Sequence, residues 1–296
     1  MTPQHGHGPG LRDAPAVSAI MTVYNGLPFV EQAVDSLLAQ DFDDFELVVV
    51  DDGSTDGTAD RLAQLTDPRI RLLRGSHEGR VAALNHAIGL ARGRYLANLD
   101  ADDLALPGRL ALPVRFLDEH PEVAVVGSGT QPFIGDEAAR RPRRLPRSDF
   151  AIRWSFLLHN PIFNSSATFR AASVAEVGGY DPGHDDVMHD ADLLLRLGRR
   201  HRLANLEVPL AAKRLHRGQH FAVAAVDRRR RLLRHASCRF RAAHELRFPR
   251  LLRPVAHAVA GLGAARSVVV IGLGGRNGGL RGPARAASRQ RLKART

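Results

Sequence analysis

Cysteine is nearly missing from this chain. Cys238 stands alone among 296 residues, which excludes an internal disulfide and makes a reducing cytosol the expected setting. Aromatic residues make up only 5% of the chain, and none interleave with its arginines in the regular way that a stacking platform for single-stranded nucleic acid requires. No basic-then-apolar leader stands at the N-terminus, and the apolar stretch at 255–275 is broken by His257, Arg266 and several glycines, which argues against a membrane span. Acids are scarce at one end only. Residues 221–296 hold 18 Lys and Arg against Asp227 and Glu245, a net +16, whereas residues 1–220 hold 24 bases and 29 acids, a net −5. A mildly acidic body with a basic extension points to two separate jobs, and the extension suits nucleic acid, anionic lipid or, in an arginine-rich proteome, no partner in particular.

What is present is a chain that is 44% hydrophobic, enough for a substantial core in one large or two small domains. Residues 1–15, rich in Gly, Pro and His, are expected to be a flexible lead-in, with His5 and His7 part of it and not a metal site. Short apolar runs predict strands at 17–23, 45–50, 70–73, 95–99 and 123–126, and apolar residues at helical spacing predict helices over 28–40, 55–65, 79–91 and 107–119. That alternation predicts an α/β fold with a mostly parallel sheet and helices on both faces. Beyond Gly129 the pattern loosens. Residues 140–147 (RRPRRLPR) read as a loop, 163–170 as a strand, 178–181 as a turn, 189–197 as a helix, and 226–246 as an Arg-rich helix.

In such sheets ligands sit beyond the carboxyl ends of the strands. Three motifs lie there: Thr22–Asn25, Asp51–Ser54 and Asp100–Asp103. In the last, three carboxylates (Asp100, Asp102 and Asp103) crowd together and repel. A divalent cation relieves that repulsion, and hard oxygen ligands suit Mg²⁺ or Mn²⁺ bridging to a phosphate. Taken alone, the motif reads equally well as a solvated turn capping a helix that starts near Pro107. Convergence of the three motifs favours a ligand.

The motifs VSAIMTVYNG (17–26), ELVVVDDGSTDGT (46–58), GRYLANLDADDLALPGRL (93–110), GGYD (178–181), HDADLLLRL (189–197) and Arg214-Leu215-His216 resemble those of family 2 glycosyltransferases of the GT-A fold. Members of this family are inverting, nucleotide-sugar-dependent enzymes that use a divalent metal. The resemblance spans roughly residues 16–219 in the family's order. It implies a nucleotide-sugar-binding half at 16–126, an acceptor-binding half at 127–220, and a basic, mainly helical extension at 221–296. It implies further that Thr22, Tyr24 and Asp52 contact the nucleoside, with Arg80 near the base and diphosphate. Asp100 and Asp102 match the pair that holds the metal, Asp190 the base that deprotonates the acceptor, and His216 a histidine near the metal or diphosphate. His216 reads equally well as an ordinary surface residue.

The chain departs from the family's pattern where His189 stands in place of the Glu that usually precedes the base, which changes the charge on the acceptor side. Trp154, His159 and Asn160 are candidate acceptor contacts, core packing being the stronger reading for Trp154. The glycine run at 271–279 does not make a dinucleotide fingerprint, because its third glycine position is Asn277 and no acid follows. The expected protein is a cytosolic transferase taking a nucleoside-diphosphate-sugar as donor and a glycan or lipid-linked acceptor. Its basic extension is expected to meet the anionic inner face of a membrane. The rival reading is a non-catalytic scaffold of the same fold whose tail binds membrane or nucleic acid. Joining of nucleotide to sugar phosphate is disfavoured by the lack of a Gly-rich basic loop at the N-terminus.

Overall fold

The computed structural model describes residues 14–135, 137–142, 145–183, 188–216 and 228–262. Most of the lead-in and the glycine run at 271–279 lie outside the described residues.

Four parallel strands form the first half of the sheet: β1 (Val17–Val23), β2 (Phe45–Asp51), β3 (Ile70–Arg74) and β4 (Tyr95–Asn98), in the order β3-β2-β1-β4. β1 and β2 are apolar along almost their whole length because both faces are covered. Strand period two divides their side chains between two cores. Ala19, Met21, Leu47 and Val49 face α1 (Val30–Leu38) and α4 (Ala111–Glu119), while Ile20, Val48 and Val50 face α3 (Arg80–Leu90). The short α2 (Thr58–Ala63) connects β2 to β3.

The second half of the sheet is mixed, so parallel pairing dominates only in the first half. β8 (Thr168–Arg170) runs antiparallel between β4 and β6 (Val123–Ile134), and β6 pairs in parallel with β9 (Arg202–Arg214). The two-residue strands β5 (Leu104–Ala105) and β7 (Glu137–Ala138) pair with β9 and β6. Helices α5 (Asp149–Phe156), α6 (Ala171–Glu176) and α7 (His189–Gly198) lie within this half.

Two expectations need correction. β6 continues well past Val126, pairing with β9 as far as Phe133, and at Gly127 the Asn205 and Ile162 side chains pack into the space a Cβ would take, 2.5 and 2.7 Å from it. The strand expected at 163–170 is split into a single 3₁₀ turn, Asn164–Ser166, and the three residues of β8. The carbonyls of Ser165 and Ala167 are turned instead toward the Arg109 guanidinium.

The Arg-rich helix α8 (Arg228–Glu245) does not stand apart from the body. Ala242, Ala243, Leu246 and Phe248, together with Ala256 and Ala260 from a helical segment at 253–262, are buried in the same core as Leu193, Leu194 and Leu197 of α7. Asp192 of α7, only 3% exposed, accepts bonds from Arg196 at 2.8 Å and Arg241 at 2.7 Å, and Trp154 meets Phe248 edge-on at 5.2 Å. Core packing is thus the role of Trp154. No helix among the described residues is long and apolar enough to cross a membrane.

Candidate active site

The three carboxyl-end loops form one cavity of about 650 Å³, within the range of small-molecule sites. Thr22, Tyr24, Asp52, Arg80, Asp100, Asp102 and His216 all line it. Asp190 does not.

β1 and β2 run in register, Val23 beside Asp51, so their exit loops interlock. Asn25 accepts at 2.8 Å from the Thr55 amide while its own amide donates to Ser54, and the Gly26 amide donates to Thr58 Oγ1 at 2.9 Å. Position 26 must be glycine, since a Cβ there would lie 2.3 Å from Val23 Cγ2. In the Asp51-Asp52 pair the two carboxylates have different tasks. Asp51 Oδ1 accepts from the Ser54 amide and closes the turn. Asp52, 6% exposed, accepts from the amides of Glu78 at 2.8 Å and Gly79 at 2.9 Å, which aim it into the cavity from the N-terminus of α3. His77, in a left-handed conformation (φ 62°), sets its ring 4.1 Å from that of Tyr24. The pair forms an aromatic wall that the sequence reading missed; the only cue was a histidine in the loop before α3.

The acidic loop after β4 is held from two sides. Arg80 forms an ion pair with Asp100, and Asn164 Nδ2 donates to the same carboxylate at 2.9 Å. Burial pushes the Asp100 carboxyl up, but Arg80, Lys213 and Asn164 outweigh it and hold it well below the ordinary carboxylate range. From the other side, β5 pairs with β9 and brings the end of β9 under the loop. Arg214 donates its amide to Asp103 Oδ1 and its Nε to the Asp102 carbonyl, both at 3.0 Å, with its guanidinium between the rings of Phe29 and Phe133. His216 Nε2 lies 3.0 Å from Asp102 Oδ2. Asp103 also accepts from Ser165 Oγ at 2.6 Å; burial and the neighbouring Asp100 and Asp102 push its carboxyl up to about 7, against the pull of Lys213. Lys213, largely buried, is raised because the attraction of all three aspartates exceeds the effect of its burial.

One oxygen from each of Asp100, Asp102 and Asp103 lies within 4.8 Å of the others. This hard, negative donor set, with an imidazole beside it, fits Mg²⁺ or Mn²⁺. Both oxygens of Asp103 are bonded to Ser165 and Arg214, whereas Asp100 is paired through Oδ1 and Asp102 through Oδ2, so Asp100, Asp102 and the adjoining His216 are the residues that could hold such an ion.

Asp190 lies in the first turn of α7, where its Oδ1 accepts from the Ala191 amide at 2.7 Å and its Oδ2 from Asn160 Nδ2 at 2.9 Å. Asn160 therefore does touch the candidate base. The buried Tyr180 connects the two sides: its hydroxyl accepts from Asn98 Nδ2, which also donates to Asn164, and its pKa is raised by burial and by the charges of Asp190 and Asp100. Asn85 holds Tyr180 in place through both its backbone N–H (2.9 Å) and its C=O (2.8 Å). His189 is buried with its ring 5.5 Å from Tyr180.

Comparison with known proteins converges on one family. The model of Glycosyl transferase family 2 matches residues 18–175. EpsE of Bacillus subtilis (strain 168), which bears the name glycosyltransferase, is 34% identical over 193 residues, covering 63% of this chain and 68% of its own. The succinoglycan biosynthesis protein ExoO of Rhizobium meliloti (strain 1021) is 33% identical over 172 residues, 54% of this chain and 47% of its own. Among solved structures, a mannosyltransferase of Pyrobaculum calidifontis in complex with GDP-Man and Mn²⁺ superposes with a TM-score of 0.65 at 23% identity, over 90% of this chain and 77% of that one. TarS 1-349 of S. aureus in complex with UDP-GlcNAc gives 0.63 at 18% identity, over 82% and 70%. These two likenesses establish the fold, and the matched motifs establish the lineage: the chain belongs to glycosyl transferase family 2.

Proposed function

We propose that this chain transfers a sugar from a nucleoside-diphosphate-sugar to an acceptor hydroxyl, with inversion and with Mg²⁺ or Mn²⁺, in the cytosolic assembly of a polysaccharide or glycolipid. The observation that carries the reading is the meeting of Asp52, Arg80, Asp100, Asp102 and His216 in one cavity at the carboxyl ends of β1, β2 and β4. The glycosyltransferase name of EpsE, the polysaccharide named for ExoO, and the nucleotide sugars bound to TarS and the Pyrobaculum enzyme support it.

In this reading the Tyr24–His77 wall and Asp52 receive the nucleoside, Asp52 accepting from the base. Asp100, Asp102 and His216 would hold the metal, and Lys213 adds positive charge beside them. When bound, the metal supplies Lewis-acid compensation for the charge that develops on the departing diphosphate. Arg80 gives up part of its pairing with Asp100 to the incoming phosphates, and both partners remain charged throughout. Asp190, oriented by Asn160 and the Ala191 amide, takes the proton of the acceptor hydroxyl. The oxygen attacks the anomeric carbon as the sugar–phosphate bond breaks, its electron pair leaving with the diphosphate. A single displacement needs a single base, and it inverts the anomeric centre.

Calorimetric titration with UDP, GDP and dTDP, each with Mn²⁺ and then with EDTA, tests the reading. We expect Mn²⁺-dependent binding of one nucleotide, lost in Asp102→Ala. Absence of binding to all three with metal present would overturn it in favour of a non-catalytic scaffold.

A further inference from the structure

The described part of the basic extension carries two apolar stripes where packing needs one. Ala256 and Ala260 are 0% and 1% exposed and face the core. On the outer side Leu251 is 92% exposed, Val255 49% and Leu262 73%, with exposed Ala258 between them. Positions 251, 255, 258 and 262 follow helical spacing, so they form a continuous strip uncovered by any described residue. Exposed Arg247, Arg250 and Arg253 flank one end, and no acid occurs from Leu246 to Leu262.

We propose that this strip is a docking face for an anionic lipid bilayer, with the leucines and valine entering the headgroup boundary and the three arginines resting on lipid phosphates. Charge complementarity selects this occupant. Two copies of the chain face to face would bring six arginines together with no acid among them, whereas an anionic surface neutralises them. Nucleic acid would neutralise the arginines but would leave the apolar strip without a partner, and the strip has no aromatic ring to stack a base. The sequence continues beyond the described residues with Arg266, Val268-Val-Val-Ile271 and then seven further Lys and Arg between 276 and 296, the same composition as the strip. The strip is presented rigidly: the segment is anchored in the core, and α8 is fixed to α7 through Arg241 and Asp192. Because α7 also carries Asp190, docking holds the acceptor side at the surface where a lipid-linked acceptor resides; only this last step rests on the proposed function.

The test is flotation of the full chain with vesicles of phosphatidylcholine, with and without phosphatidylglycerol. We expect flotation with the anionic vesicles only, weakened by salt. Leu251→Glu/Leu262→Glu should lower the partition at least about tenfold, and Arg247→Gln/Arg250→Gln/Arg253→Gln comparably. All substituted residues are exposed, so unchanged melting and nucleotide titration should confirm intact folding and an intact donor site. Loss of nucleotide binding alone would count against the catalytic reading and not against docking. No flotation at low salt, or flotation of the Leu251→Glu/Leu262→Glu variant equal to the unsubstituted chain, overturns the proposal. A dimer that the same variant converts to monomer, or RNA binding sensitive to the arginine variant alone in a chain that ignores vesicles, overturns it in favour of those partners.

Discussion

At the scale of single residues, neighbouring carboxylates in this chain do different work because their hydrogen-bond partners differ. Asp51 closes a turn through Ser54, whereas Asp52, one residue on, is aimed into the cavity by two amides of a distant loop. Asp190→Asn keeps the shape of the side chain and one of its two acceptor oxygens, those that now meet the Ala191 amide and Asn160 Nδ2, but it cannot take a proton. Turnover should fall by about 10³-fold while nucleotide affinity stays within about twofold, as steady-state kinetics and calorimetry would show. Arg109 is buried completely, and burial lowers its pKa to about 9, so it is charged at neutral pH. Its guanidinium serves the carbonyls of Asn98, Ser165 and Ala167 and the hydroxyl of Thr168, and no carboxylate. Arg109→Met should cost about 3 kcal/mol by denaturant unfolding, since it leaves those acceptors buried without donors. Metal-dependent nucleotide binding should weaken with it, because Ser165 and Asn98 support Asp103 and Asn164. The DADD motif and Asp190 were legible in the sequence; Arg109, Asn164 and Tyr180 were not. Nothing in a local pattern reports that a guanidinium will be turned inward or that Asn98 will meet Tyr180, 82 residues away.

Among the elements, the sheet is stapled at the end opposite the cavity. Glu46 at the start of β2, 3% exposed, accepts from Ser18 of β1, from the amide and guanidinium of Arg92 before β4, and from Arg71 of β3. Gly93 passes so close that a Cβ would lie 2.4 Å from the Ser18 nitrogen. Glu46→Ala should cost about 2 kcal/mol, since it leaves the buried Ser18 hydroxyl and the Arg92 amide short of an acceptor while the exposed guanidiniums of Arg71 and Arg92 turn to water. Burial alone would raise the Glu46 carboxyl, yet the bonds from Ser18, Arg92 and Arg71 prevail and lower it from 4.5. The unfolded chain therefore binds this proton at a higher pH than the folded one. The stability contributed is complete above about 4.5 and is lost as pH falls through the lower folded value. Melting curves from pH 6 downward should fall less steeply in Glu46→Ala than in the unsubstituted chain. The elements of the first half were readable because continuous apolar strands and amphipathic helices follow from local spacing. β5, β7 and the single 3₁₀ turn of the second half were not, being too short to carry a period.

For the molecule as a whole, the described part of the basic extension belongs to the body. A chain ending before residue 228 would strip Ala242, Ala243, Leu246 and Phe248 from the core and remove the Arg241 ion pair from Asp192. Its melting should show a loss on the order of 5 kcal/mol from the exposed apolar surface. Point changes at Leu251 and Leu262 should cost almost nothing, as both are already in solvent. The contrast separates what the extension does for stability from what it does at a surface.

The sequence by itself determined the α/β order, the strand ends where ligands collect, and the residues around which a cavity would form, since each depends on neighbours within a dozen positions. Only the tertiary structure decided how those residues are held. β9, arriving more than one hundred residues after the acidic loop, places Arg214 and His216 beneath Asp102 and Asp103. It also decided that an arginine-rich helix would bury Ala242 and Ala243, with Leu246 just past its end, in the core of α7, and that the segment after it would leave a second apolar strip outside. The physical reason is the same in both cases: long-range hydrogen bonds and interhelical packing are set by where the chain folds back, and a linear pattern holds no record of that.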